Sequence, residues 1–294
     1  MSLLPKHVPH VPQVVKHPLA FALQVIRAFR ANQGLLLAGA VAYYTLLSIV
    51  PLLILILIAL SHVVDQAALL ATLGNALEWV APGQSRFMVQ ELEAFLAHRT
   101  SIGWVLLGTM VVFSTLAFTV LENAISVIFL HRVSVRRRPL LSSALISIGY
   151  ILFLALALLI GTLISASLNA IGRESIEVFG HSWSLGGISA VALYLIGVLL
   201  EILLITSVYL IMPVGRLSPW HALIGGATAG LLWEVIRHGL LWYFSSLSQV
   251  SVVYGSLTTA IVVLISFEIA AMLLLLGAQV IAEYERLEQA SADK

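Results

Sequence analysis

Ala222–Phe244 reads ALIGGATAGLLWEVIRHGLLWYF, and the interpretation of this stretch decides the fold. At about 1.5 Å rise per residue, a helix of that length crosses the roughly 30 Å hydrocarbon core of a bilayer. Glu234, Arg237 and His238 interrupt the apolar run at spacings of three and four, so they project from one face of a single turn. An ionisable side chain at such depth costs roughly 2.5–3.5 kcal/mol, so it faces a bundle interior, a partner or water. The stretch therefore reads as one span of a helical bundle that keeps a polar cluster inside it.

Composition agrees. Sixty per cent of the 294 residues are hydrophobic and only 10% are charged. Mean hydropathy is +1.04. A chain this apolar has too little polar material to cover a water-facing surface. The net charge of +1 carries no nucleic-acid signature. Cysteine is absent, which excludes disulfides, thiol catalysis and cysteine-ligated metal. The N-terminal residues 1–17 are rich in Pro and His and lack a continuous apolar stretch. They read as a disordered tail rather than a signal peptide or a metal site.

Six apolar segments are long enough to span, at about 35–60, 102–130, 144–168, 185–212, 222–244 and 253–281. The expected fold is thus an all-α polytopic membrane protein of six transmembrane helices, one membrane domain over 18–285 followed by a tail at 286–294. An even count puts both termini on one side. Of the 15 Lys and Arg residues, eleven fall on the termini and the connections sharing that side, three on the opposite side, and the last is Arg237. The positive-inside rule then makes both termini cytoplasmic. Pro18–Asn32 is amphipathic, with Phe21, Val25, Ala28 and Phe29 on one face, and reads as an interfacial helix. The outer loop from His62 to Ser101 divides at Pro82-Gly83 into helical patterns over Ala67–Val80 and Ser85–Ala97. Its Phe87, Leu92, Phe95 and Leu96 suit a membrane surface or a cap. Arg136, Arg137 and Arg138 form a topology anchor or a contact for anionic lipid headgroups.

Within the first span, Pro51 removes a backbone hydrogen bond and predicts a kink, flanked by the hydroxyls of Tyr43, Tyr44 and Ser48. Broken helices of this sort line binding sites in transporters, and also simply shape packing. Glu122 and Asn123 lie late in the second span, positioned for a headgroup contact or an interhelical tie. Glu201 and Glu268 sit centrally in the fourth and sixth spans and have to be neutralised, by a proton or by a cation such as Arg237. With Glu234 and His238 they would suit an ion pathway or proton relay, or a static network that locks helices together. Gly226 and Gly230 form a small-xxx-small packing surface. Tyr254-Gly255 marks a backbone contact at the entry to the sixth span. No HExxH, Walker A, GxSxG, GxGxxG or paired-Asp signature is present. The reading is therefore of a non-enzyme without cofactor or metal. An intramembrane hydrolase would need Ser207 or Ser266 beside His238, and no spacing supports the pair.

The strings AYYTLLSIVPLL, PWHALIGGATAGLLWEVIRHGLLWYF and VVYGSLTTAIVVLISFEIAAMLLLLGAQV, taken in order, resemble the YihY/BrkB (UPF0761-like) family of bacterial inner-membrane proteins over about residues 18–285. The resemblance implies six spans and marks Tyr44, Pro51, Asn123, Tyr254, Gly255, Gly277 and Ala278. It implies links to envelope lipid handling, virulence and transport. The family once carried the label ribonuclease BN, which the missing nuclease residues argue against here. The chain departs from the family pattern at Gln279, where an acid is common, and at AISVIF, where Trp is common. The expected function is an inner-membrane transporter or flippase for a lipid-like or amphipathic solute, coupled to an ion. The competing reading is a non-transporting envelope scaffold. Expected partners are the bilayer, an anionic lipid or amphipathic substrate, and a second copy in a homo-oligomer, with no nucleic acid.

Overall fold

A computed structural model describes residues 18–60, 64–80, 84–97, 104–129, 175–178, 181–184, 186–213, 217–246 and 256–292, with parts of 146–164. The described chain is helical. It runs α1 Pro18–Ala31, α2 Gly34–Leu60, α3 Gln66–Val80, α4 Ser85–Ala97, α5 Trp104–Ile128, α6 Gly186–Ile211, α7 Pro219–Ser246 and α8 Ser256–Ala292. A short antiparallel hairpin, β1 Ser175–Val178 and β2 His181–Ser184, precedes α6 and pairs Ser175 with Ser184. Sequence periodicity had not indicated it. Arg136–Arg138, Tyr254, Gly255 and the N-terminal tail lie outside the described residues.

Local chemistry sets the helix ends. Pro18 and Pro219 occupy first-turn positions, where a missing N–H is harmless. Asp65 Oδ2 accepts from the Ala68 N–H at 3.1 Å and caps α3. Between α1 and α2 the chain reverses at Gln33, whose φ of 54° is the left-handed cap conformation. A side chain at Gly34 would place its Cβ 2.3 Å from the Phe29 ring, so this corner closes only on glycine.

The long helix α8 is the hub. Its 37 residues extend about 55 Å at ~1.5 Å per residue. It packs against α1, α2, α5 and α7, while α6 packs on α7 and α3 pairs with α4. Helix α8 continues through 286–292, where the sequence suggested a tail. Pro51 bends α2 by 41° between Gly34–Ile49 and Pro51–Ile58, as its missing N–H requires. Ser48 donates to the Phe113 carbonyl of α5 at 2.5 Å, so this hydroxyl ties the bend to its neighbour. The loop helices α3 and α4 match the sequence patterns closely. Leu92, however, is buried in the main core with Leu69, Leu73 and Met88 and does not face a membrane surface, whereas Phe87 stays exposed.

Six spans were expected. Among the described residues, Val191–Ile211 and Ile261–Gln289 are long and apolar enough to cross a membrane, and a third counts if the bent α2 is one span. Helix α7 has the length, but its glycines, Glu234, Arg237 and His238 lower its apolarity. The α5 segment contributes the shorter apolar stretch Thr115–Ile128, and the third segment is described in pieces around Leu152–Gly161.

Glycine brings α7 against both of its neighbours. A Cβ on Gly277 would lie 2.3 Å from the Tyr209 hydroxyl and 2.8 Å from the Gly225 carbonyl. Tyr209 is fully buried and donates to the Leu274 carbonyl at 2.5 Å, so it has no slack to yield. Gly277→Ala is therefore expected to cost about 1–3 kcal/mol, as overpacking does. Gly239→Ala, where a Cβ meets nothing within 4 Å, should be neutral or stabilising. Thermal unfolding of the two purified variants in detergent checks the contrast.

Candidate functional site

On α7 the glycines and the charges share one stripe: Gly226, Gly230, Glu234 and Arg237 recur at intervals of four, four and three. A Cβ on Gly226 would strike Thr206 Oγ1 at 2.1 Å, and one on Gly230 would meet the Ile202 side chain at 2.9 Å. Both glycines therefore pack on α6, as their spacing suggested. Because α6 and α7 run antiparallel, the same stripe meets the earlier turns of α6 as it continues. There Tyr194 donates its hydroxyl to Glu234 Oε1.

Glu234 is the centre of the group. Arg237 Nη2 donates to its Oε1 at 2.7 Å and Arg237 Nε to its Oε2 at 3.1 Å, a two-pronged ion pair one turn apart. His238 Nδ1 lies 2.8 Å from the Glu234 carbonyl and 3.5 Å from its Oε1. The Arg237 and Glu234 side chains are 9% and 14% exposed, whereas His238 is 60% exposed, so only the histidine opens outward. Glu201 of α6 lies within electrostatic reach of Glu234 and Arg237, and its buried Oε2 has no hydrogen-bond partner. A buried carboxyl oxygen left in this state has capacity for a proton or a ligand donor.

The remaining candidates separate from this group. Glu268 of α8 faces α2, with Oε1 4.0 Å from where a Cβ on Gly39 would sit. It does not join Arg237 as its central position had suggested, because α8 offers that turn to a different neighbour. Glu122 is buried on α5 and the adjacent Asn123 is exposed, so the carboxyl rather than the amide turns inward. Tyr43 and Tyr44 stack edge-on at 5.3 Å beside the α2 bend. Ser207 bonds the Tyr150 hydroxyl at 3.0 Å and the Leu204 carbonyl at 2.6 Å. Ser266 donates to the Val262 carbonyl at 2.9 Å. Neither serine is arranged as a nucleophile against His238. Tyr194 was missed in sequence because a tyrosine in an apolar helix carries no signal until its partner is placed.

The family described as Virulence factor BrkB matches residues 25–294. The chain belongs to that family. Relatives include a UPF0761 membrane protein of Photobacterium profundum, 26% identical over 95% of this chain and 85% of the relative. Another, from Aliivibrio salmonicida, is 27% identical over 87% of this chain and 80% of its own length. A third, from Alkalilimnicola ehrlichii, is 29% identical over 88% of this chain, which spans only 57% of that longer protein. No solved structure matches. This BrkB-family chain is a helical membrane protein, and the family name agrees with the resemblance drawn from its motifs.

A second polar network, not anticipated from sequence, gathers where α1 and the start of α7 meet the end of α8. Gln279 donates to Glu283 Oε1 at 3.1 Å and accepts from Asn32 at 2.9 Å. The carboxylate of the network is thus Glu283, one turn further on. Gln24 and Arg286 complete its shell at 2.8 and 2.7 Å. Nearby, His221 places Nδ1 3.3 Å from Glu285 and Nε2 3.3 Å from Glu288, with its ring against Tyr284.

The Glu285 contact, aided by the Glu288 charge, raises the His221 pKa above its ordinary 6.5 against the opposing effect of burial. A raised folded-state value means that the stabilisation is fully present below about pH 6.5 and is lost as pH climbs through the raised value. The BrkB-family chain should therefore lose a few degrees of thermal stability on passing from mildly acidic to alkaline buffer. His221→Gln should flatten that slope in the same unfolding assay.

Proposed function

We propose that this protein is a membrane carrier that moves an amphipathic, lipid-like solute, with the Glu201–Glu234–Arg237 group as its polar centre and a proton as the coupled ion. The observation that carries the reading is the buried Glu201 Oε2, unpartnered beside an internally satisfied ion pair. A static lock between helices would close every hydrogen bond, since an unfilled buried acceptor costs about 1–3 kcal/mol. An acceptor left open suits a group that exchanges a proton or receives a substrate donor. Arg237 would attract an anionic headgroup, and exposed His238 supplies a polar approach from the helix surface.

Of the two motives for the scaffold reading, the outer amphipathic loop and the glycine pair, the second is weaker. Gly226 and Gly230 are occupied by α6 of the same chain, so that small-residue face is not left for another protein. We read the protein as non-enzymatic, because Ser207 and Ser266 are engaged with backbone carbonyls of their own helices. The Lys/Arg asymmetry supports cytoplasmic termini, and the bacterial relatives support an inner-membrane setting.

The test is reconstitution of purified protein in vesicles carrying a headgroup-distal fluorescent phosphatidylglycerol, with chemical quenching from outside to read transbilayer movement. An imposed pH gradient should accelerate movement. Glu201→Gln should slow it by about 10²-fold or more, the scale of a lost proton-transfer group, while thermal stability is retained. Movement that is the same with empty vesicles, wild type and Glu201→Gln would sink the carrier reading.

A further inference from the structure

A groove of about 660 Å³ opens between α1 and the last turns of α8, apart from the Glu234 group. Its size falls within the range of about 300–1,000 Å³ typical of small-molecule sites. Gln24 and Arg27 line it from α1, and Glu283 and Arg286 from α8. Glu283 is 1% exposed, and its carboxylate is filled by Gln24, Gln279 and Arg286, so it forms a neutralised floor rather than a repelling charge. Arg286 is 43% exposed and commits one N–H to Glu283, leaving donors of its five-donor fork facing the opening. Arg27 is exposed on the facing wall, and none of its contacts among the described residues is a hydrogen bond or ion pair. Two guanidinium groups against one satisfied carboxylate leave the groove with an excess of one positive charge.

The surroundings identify the kind of anion. Leu23 lines the groove and belongs to an exposed apolar stripe with Leu19 and Ile26 along the outside of α1. The adjoining face of α1 buries Val25 and Phe29 in the fold, so the exposed stripe runs alongside the buried one. Trp220 is largely exposed one residue before His221, which is bonded to Glu285 and Glu288 on either side of Arg286. An exposed tryptophan at a helix end is the usual marker of the boundary between hydrocarbon and headgroups. A polar, cation-lined groove at that level, with an apolar stripe leading away from it, matches one molecule with a phosphate at one end and acyl chains at the other.

We propose that this groove is a binding site for the phosphate-bearing headgroup of an anionic phospholipid, held by Arg27 and Arg286 with its acyl chains along Leu19, Leu23 and Ile26. The site does not depend on the carrier reading. A phosphodiester accepts two parallel N–H bonds from a guanidinium, which makes arginine suited to the task. The ligand would add a second bridge between α1 and α8 beside the Gln24–Glu283 and Asn32–Gln279 hydrogen bonds that already join them.

Native mass spectrometry of the purified full-length protein, titrated separately with phosphatidylglycerol and phosphatidylcholine, tests the site. Wild type should retain phosphatidylglycerol in preference to phosphatidylcholine. Arg27→Gln, which breaks no hydrogen bond or ion pair among the described residues, should weaken phosphatidylglycerol binding by about fivefold, the worth of one basic residue near an anionic headgroup. Its melting temperature in lipid-free detergent should be unchanged. Arg286→Gln should weaken binding too, while also lowering stability by exposing Glu283. Inorganic phosphate alone should not displace the lipid, because it lacks the chains. Equal retention of the two lipids, undiminished binding by Arg27→Gln, or displacement by inorganic phosphate would each overturn the lipid site.

Discussion

Everything around the polar centre depends on how closely α7 can approach its two neighbours. On one side Gly225 and Gly277 bring the backbones of α7 and α8 together, beside the Tyr209 hydroxyl with which α6 reaches the Leu274 carbonyl of α8. On the other side Gly226 and Gly230 admit Thr206 and Ile202 of α6. In an apolar surrounding there is little hydrophobic drive to join helices, so close van der Waals packing and interhelical hydrogen bonds have to hold them. Small residues make that packing possible, and the register they impose puts Glu234 against Tyr194.

The polar centre follows from the same stripe. The Glu234 carboxylate is satisfied from two sources, the Arg237 guanidinium of its own helix and the Tyr194 hydroxyl of the neighbouring one, which leaves Arg237 and Glu234 locally neutral. Glu201 enters the same region without such an arrangement. The contrast between one closed carboxylate and one open carboxyl oxygen gives this part of the bundle its chemical interest. Toward the C-terminal end of α8 the logic reverses. Glu283 is buried yet filled on every side, and the open valences belong to arginines at the rim.

Much of the fold was legible in the chain. The Pro51 bend, the two loop helices split at Pro82-Gly83, the amphipathic first helix and the packing role of Gly226 and Gly230 follow from strong local signals. The removal of a donor, a turn dipeptide, a periodic stripe and a lost side chain act within a turn or two of their own position. The candidate site was legible only in part, for a physical reason. The Glu234–Arg237 pair spans a single turn and could be read directly. The partnership of Tyr194 with Glu234, the separation of Glu268 toward α2, and the inward turn of Glu122 depend on which helix faces which. No local pattern encodes that choice.

By itself the sequence determined that this is an apolar, helical membrane protein of the BrkB family whose longest helices carry ionisable groups. Hydropathy, helix length and motif order are properties of the chain alone. Only the tertiary structure decided how those groups are grouped. It assigned Arg237 to Glu234, left Glu201 open, sent Glu268 to the other side of α8, and assembled Gln24, Arg27, Glu283 and Arg286 from the two ends of the chain. Those residues lie some 260 positions apart, with Gln24 and Glu283 separated by 259. Their meeting is decided by the packing of α1 onto the end of the hub helix, a long-range contact that neither segment specifies alone.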